Sequence, residues 1–446
     1  MSSSQISADF TSRLPNELLL SILEYGLSQA TLAASALCCN RWNVLASSVL
    51  YKHIALRDTR EFFNWVNTAP TALDLNIETL TISISTVIPL PEHTSIDPEA
   101  QITQLRWHLD QLAARIRQMT KLRSFSITTP PPHKLHPRVR IPDSSIASCL
   151  DNISDSCSSL ELEIRNGPAS AVHKDPDTHL CVSIRRLIPQ LQFLRLDLPS
   201  LCPGCFKSQS PINPRVFVPI EAPGLRECII VLAYPHGWAS VEKVNIKERC
   251  KTLSADRSTA KRAVVASLLD LTCSGKAPLM KRLWAYDALP SPGPDLYSYG
   301  VYVRRDIIAQ RSHTFPWRSV GTAFKGIAFF IRMPEETGGQ DVLTDRDNAA
   351  HVIEENTWVT TVNGVRLPAA LVETYQLEKK DYRVQTRADW AASTDITTEL
   401  WLNEASTGVR LLNGETGHLL EDRQAEFRIP PGWRWNTGGL LSQLPF

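Results

Sequence analysis

The chain has 446 residues, enough for about two to four domains on length alone. Its apolar fraction of 43% is that of a globular protein and argues against wholesale disorder. Its 47 Lys plus Arg stand against 46 Asp plus Glu, which leaves no global field to draw it onto nucleic acid or an anionic membrane. The polar start MSSSQISADF lacks the basic-then-apolar pattern of a secretory signal. No apolar run approaches the roughly 20 residues of a membrane span. Ten cysteines without framework spacing then predict reduced thiols in cytosol or nucleus.

The first predicted elements lie in residues 14–56. Leu14, Leu18, Leu19, Ile22 and Leu23 form the stripe of an amphipathic helix. Pro15 suits a first helical position, Glu17 complements the positive end of the helix dipole, and Gly26 is a natural stop. Leu32, Ala33, Ala36 and Leu37 predict a second short helix, and Trp42, Leu45, Ala46, Val49 and Leu50 a third. Three helices in about forty residues are at the limit of what folds alone. Their excess apolar surface requires cover from the rest of the chain or from a partner.

The order Leu14-Pro15-x-Glu17-Leu18-Leu19-x-x-Ile22-Leu23, then Cys39-x-x-Trp42 and Leu50-Tyr51, resembles an F-box over residues 13–56. The family often has Val before the Cys, where this chain has Cys38. The resemblance implies a three-helix module that binds a Skp-family adaptor and, through it, a cullin–RING ubiquitin ligase. The adaptor contact it implies falls on Leu14, Pro15, Leu18, Leu19, Ile22, Leu23, Trp42, Leu45 and Tyr51. Leu45 and Trp42 fit an internal core equally well.

Residues 57–75, with Phe62, Phe63, Trp65 and Val66, predict a helical connector. A pattern of the form L-x-x-L-x-L then recurs: Ile77-x-x-Leu80-x-Ile82, Leu122-x-x-Phe125-x-Ile127, Cys157-x-x-Leu160-x-Leu162, Leu191-x-x-Leu194-x-Leu196 and Leu225-x-x-Cys228-x-Ile230. The last four units are spaced by about 34 residues, and a fixed period is the mark of a solenoid. Helical stripes precede three of them: Leu105 to Met119, Ile146 to Ile153, and Leu180 to Ile188. Helix then strand, repeated, predicts an α/β fold with a parallel sheet backed by helices over residues 57–290. The pattern resembles an irregular leucine-rich-repeat array of the long kind found in many fungal F-box proteins. An ordinary α/β domain with a parallel sheet is the alternative. In either, the residues alternating with the apolar anchors share the other face of the sheet. On an open face, Ser126, Glu161, Glu163, Phe193, Arg195, Asp197 and Glu227 become the candidate contacts to a target protein.

After residue 231 the repeat fades. Residues 242–262 carry seven basic residues against three acidic ones and run into a predicted helix. Leu279-Met280-x-x-Leu283-Trp284 reads as a further strand, and Ser291 to Asp295 as a linker or sharp turn. Residues 291–446 are expected to form a β-containing cap or small domain. Tyr297, Tyr299, Val301 and Val303 alternate there, and Thr357 to Leu367 around Asn363-Gly364 carries the strongest hairpin signal in the chain.

Chemistry of its own is not indicated. Cys202-Pro203-Gly204-Cys205 has the spacing of half a zinc site but lacks a second tight pair, although Cys181, Cys228, His179 and His236 are near in sequence. His133 and His136 sit in a Pro-rich stretch. Neither a phosphate-binding Gly loop nor a G-x-S-x-G elbow occurs. No cofactor is expected. The expected function is a non-catalytic substrate-recognition subunit of an SCF-type ubiquitin ligase, in cytoplasm or nucleus, with no nucleic acid or membrane as partner. The alternatives are a scaffold that binds the adaptor without directing ubiquitination, or an enzyme in the C-terminal third with an F-box-like appendage.

Overall fold

The computed structural model describes residues 14–24, 29–85, 98–129, 141–164, 180–198, 201–210, 212–213, 216–232, 257–289, 299–319, 328–334, 336, 341–345, 352–372, 383–385, 433–435 and 441–443. Gly26, His133, His136, His179, His236, residues 242–256 and the turn at Ser291 to Asp295 lie outside them.

Three helices open the chain: α1 (Asn16–Glu24), α2 (Gln29–Ala36) and α3 (Asn40–Leu50). Leu19 and Leu23 of α1 meet Leu32 of α2 and Leu45 and Ala46 of α3 in a small core. The Arg41 side chain ties the start of α3 to the start of α1, through Asn16 Oδ1 at 2.9 Å and the Leu14 carbonyl. Lys52, just past α3, pairs with Glu24 at the far end of α1 at 3.0 Å. Helices α1 and α3 therefore run in the same direction, with α2 returning between them.

The chain then enters one large sheet. Strands β1 (His53–Leu56), β2 (Thr79–Ser83), β3 (Ser124–Thr128), β4 (Ser159–Glu163) and β5 (Phe193–Asp197) are parallel neighbours in that order. A separate ribbon, β6 (Lys207–Gln209) with β7 (Phe217–Pro219), follows. The sheet resumes with β8 (Glu227–Val231) and β9 (Arg282–Leu289), again parallel. Helices α4 (Thr59–Thr68), α5 (Pro98–Ile116), α6 (Asp143–Asp151), α7 (Leu180–Leu187) and α8 (Arg257–Cys273) make the crossovers. Between β5 and β8 the ribbon and a turn at Pro203–Cys205 take the place of a helix. Parallel neighbours need such long connections because a tight turn can join only antiparallel strands.

The expected strands fall where the repeat predicted them, in a mixed α/β fold with a largely parallel sheet. Leu80, Phe125, Leu160, Leu194, Cys228 and Leu283 align across it and belong to one continuous core with the crossover helices. Two features differ from expectation. The end of the F-box-like segment, His53–Leu56, is already an edge strand of the sheet. Nor does the sheet break near residue 291. Strand β9 pairs antiparallel with β10 (Tyr299–Asp306), which continues through β11 (Arg311–Ser319), β12 (Ala328–Arg332), β13 (Asp341–Asp345) and β16 (Arg383–Gln385). Together these make a twelve-stranded sheet. Alternation at Tyr299, Val301 and Val303 signalled β10, but only pairing in three dimensions reveals that it extends the parallel array.

The hairpin is present as β14 (Trp358–Thr360) and β15 (Arg366–Pro368). Gly364 holds its tip at φ +85°, a conformation that costs little only without a side chain. A short pair, β17 (Trp433–Trp435) with β18 (Leu441–Gln443), lies near the end of the sequence.

Residues 352–368 lie across the sheet face opposite the helices. Ile353 and Trp358 pack there with Phe193, Ile229, Trp284, Tyr286, Tyr302 and Phe315 in a second core. Among the described residues Trp358 is the largest fully buried side chain. Replacing it with Ala is expected to lower stability by about 3–5 kcal/mol, read as a fall in denaturant midpoint.

Candidate functional site

Sequence reasoning pointed to two surfaces, the apolar stripe of the first helix and the row of side chains on the face of the sheet. The structure exposes part of the first and buries most of the second.

The four expected adaptor contacts on α1 divide by helical phase. Leu19 and Leu23 face inward, whereas Leu18 and Ile22 are 52% and 49% exposed. Pro15 is exposed as well, so Pro15, Leu18 and Ile22, at i, i+3 and i+7, form one apolar line in solvent. Leu14 and Trp42 are half-buried against the bundle core. Leu45 is buried inside it with Leu19 and Leu23, and these three form the core of the bundle. Tyr51 packs against the sheet's core instead, at the junction of the two parts. Leu37 and Val44, not among the expected adaptor contacts, are 86% and 68% exposed. Their apolar character was visible, but nothing in the pattern of α2 and α3 told which side would stay open.

The sheet row is the larger correction. Strand register aligns Thr81, Ser126, Glu161 and Arg195 at one level, and Ser83, Thr128, Glu163 and Asp197 at the next. The predicted neighbours are therefore brought together. They lie under residues 352–368, however, and Ser126, Glu161, Phe193, Arg195 and Asp197 are buried. Glu163 and Glu227 are half-buried, and Glu227 is paired with Arg282 at 2.8 Å. This face is not open to a target.

A network of charges fills it. Arg195 donates Nε and Nη2 to the two oxygens of Glu354, at 2.8 and 2.9 Å. Its Nη1 reaches Glu161 at 3.2 Å and Glu163 at 2.8 Å. Arg366 grips Glu161 with Nε at 3.1 Å and Nη2 at 2.5 Å, and Ser126 Oγ donates to the same carboxylate at 2.6 Å. The Arg366 backbone N–H donates to Thr81 Oγ1 at 2.9 Å. Burial alone would push the Glu161 carboxyl up, but the guanidinium groups of Arg366 and Arg195 hold it below the ordinary carboxylate range. For Arg195, burial works against the charge, yet Glu354, Glu163 and Glu161 keep it protonated. Paired, bidentate geometry of this kind is what permits ions in a dry interior. Glu354 and Arg366 belong to the C-terminal third and were not anticipated. The hairpin signal located the element but not its destination.

The network ends short of the sheet edges. Beyond it, Arg304 donates Nη1 to the Ile353 carbonyl at 3.1 Å and to Glu355 at 2.6 Å, anchoring the cover over β10. At the other end the Gly364 tip meets Ala55 and Arg57 beside β1.

Imidazoles add a pH response near the junction. His53 Nδ1 lies 3.0 Å from Thr79 Oγ1, and His108 stacks on Phe63 at 3.8 Å. Burial lowers the pKa of both rings, helped at His53 by Lys52. A depressed folded-state value means the unfolded chain binds the proton more readily. Their contribution is full above the ordinary value near 6.5 and is lost as pH falls through the folded value. Melting temperature is expected to drop on acidification from pH 7.5 to 5.5, and the drop to shrink in a His53→Gln, His108→Gln variant.

Among the described residues no helix is long and apolar enough to cross a membrane. No curated protein matches the chain. Residues 11–57 match the family model described as F-box-like, so the N-terminal helices with their exposed Pro15, Leu18 and Ile22 line constitute an F-box-like domain.

Proposed function

We propose that this chain is the substrate-recognition subunit of an SCF-type cullin–RING ubiquitin ligase. The F-box-like domain suggests a Skp-binding adaptor role, and the Pro15–Leu18–Ile22 line is the observation that carries the proposal. Large apolar side chains at half exposure on a helix whose opposite face is fully packed favour a partner. The subunit performs no bond chemistry. It raises the effective concentration of a target lysine near a charged conjugating enzyme, and the transfer is carried out by its partners. Target contact falls to surfaces outside the covered sheet face. The cysteine spacing, which lacks a disulfide framework, fits a cytoplasmic or nuclear setting.

The test is reconstitution. The full chain is expected to co-purify with a Skp-family adaptor, and the resulting ligase to ubiquitinate a protein captured by the chain. Adaptor binding without ubiquitination of any captured protein would favour a scaffold. Failure to bind the adaptor would remove both readings.

A further inference from the structure

From β2 onward, the residue just before each parallel strand donates its backbone N–H to its counterpart before the neighbouring strand. Glu78 donates to the Lys52 carbonyl at 2.8 Å, Arg123 to Glu78 at 2.7 Å and Ser158 to Arg123 at 2.9 Å. Gln192 donates to Ser158 at 2.7 Å, Arg226 to Gln192 at 2.8 Å and Lys281 to Arg226 at 2.8 Å. These residues therefore line one rim of the sheet at strand spacing, about 4.8 Å apart.

Charge is uneven along this rim. At its first end Lys52 lies 3.0 Å from Glu24 and 3.6 Å from Glu78. Arg123 shares Glu78 at 3.8 Å, with 71% of its side chain exposed. Ser158 and Gln192 follow, uncharged and half-buried. At the far end Arg226 and Lys281 are exposed, and among the described residues neither is in an ion pair. The carboxylates nearest in sequence are already taken, Glu221 by Lys276 at 2.6 Å and Glu227 by Arg282 at 2.8 Å. Lys121 and Asp155, exposed in the turns before β3 and β4, offset one another.

The cations thus stand at two places with neutral hydrogen-bonding groups between them. Arg123 and Arg226 are three strands apart, about 14 Å, close to the reach of about four residues of extended chain. Alternate residues of an extended chain share a face, so side chains at that spacing point the same way. We infer that this rim docks an extended acidic segment of a partner protein. One carboxylate meets Arg123, and a second, about four residues along, sits between Arg226 and Lys281. Ser158 and Gln192 offer a hydroxyl and an amide to the main chain between them.

The inference rests on the proposed recognition role and gives it a ligand chemistry. The main-chain ladder fixes where the cations start, so little ordering is needed on this side. Exposed ion pairs are individually weak, which makes the binding modest and salt-sensitive. A nucleic acid fits less well, because its phosphates form an unbroken line whereas these cations are few and interrupted. The pairing of Lys52 with Glu24 joins the rim to the end of α1, which places a docked segment next to the F-box-like domain.

The test titrates the full chain, at low ionic strength, into a fluorescein-labelled Gly/Ser peptide carrying two Glu residues at the inferred spacing, and follows anisotropy. Matched peptides carry Gln or Lys at the same positions. The Glu peptide is expected to bind, the others not, and its binding to fade as salt is raised. An Arg226→Glu, Lys281→Glu variant is expected to keep its melting temperature, because both side chains are exposed. It should bind the Glu peptide roughly tenfold less tightly or worse and gain affinity for the Lys peptide. The inference fails if the Glu peptide binds no tighter than the Gln peptide, or if the folded variant binds it unchanged. It also fails if a single-stranded DNA of equal charge binds as tightly as the Glu peptide. Co-purification with a Skp-family adaptor, run on the same samples, keeps the two readings apart. Adaptor bound with the Glu peptide rejected removes the rim inference alone, whereas loss of the adaptor from the intact chain counts against the ligase reading.

Discussion

A Leu18→Asp, Ile22→Asp variant is expected to lose adaptor binding while keeping its fold. Both side chains are about half exposed and point away from the bundle core. Placing carboxylates there costs the isolated chain little, but it sets two charges in an apolar interface. Interface anchors of this kind cost about 2 kcal/mol or more each, so the pair should weaken binding by roughly a thousandfold. Pull-down with a Skp-family adaptor and a thermal melt read the two effects separately. The companion Leu19→Asp, Leu23→Asp variant is expected to lose binding and helix content together, because those residues are the core. If the first variant still binds normally, the Pro15–Leu18–Ile22 line is not the contact.

Arg195→Ala is expected to be among the most destabilising single substitutions in the chain. The change removes the guanidinium that Glu161, Glu163 and Glu354 share, while Arg366 stays paired with Glu161. Removing one partner of such a pair typically costs about 3–5 kcal/mol, much of it from the charge left behind. Denaturant unfolding measures the loss, and hydrogen exchange over residues 352–368 locates it. The cover should exchange faster in the variant while the helix side of the sheet changes less. A paired Glu354→Gln, Arg195→Met variant should recover part of the loss, since replacing both partners leaves fewer unpaired charges. Equal destabilisation of single and paired variants would mean that packing, and not the ion network, holds the cover.

Much of this fold was legible in the chain because its signals are local. Strands β2, β3, β4, β5 and β8 each carry the apolar anchors at their own positions, so Leu80, Phe125, Leu160, Leu194 and Cys228 announced the sheet without knowledge of neighbours. The helix stripe at residues 14–23 did the same for α1. What could not be read depended on pairings far apart in sequence. Glu161 looks like a solvated strand residue until Arg366, two hundred residues later, lies on it. Trp358 looked like any anchor of a hairpin, and its place in a second core rests on side chains from six other strands. The alternation of Ser126, Glu161 and Arg195 correctly put them on one face. Polar character suggested that the face was wet, whereas mutual pairing lets the same residues be dry.

Strand β1 begins only two residues after α3 ends, and the Lys52 carbonyl between them accepts from the N–H groups of Glu78 and Thr79. Tyr51 is already packed into the sheet's core. The N-terminal domain therefore hangs on no tether. In a ligase built on this chain, the reach from adaptor to target would be set by the geometry of a joint rather than by the sampling of a linker, and local concentration would follow from angle instead of chain length. Lengthening that joint by even a few flexible residues would pull the first strand out of register before it gained any reach.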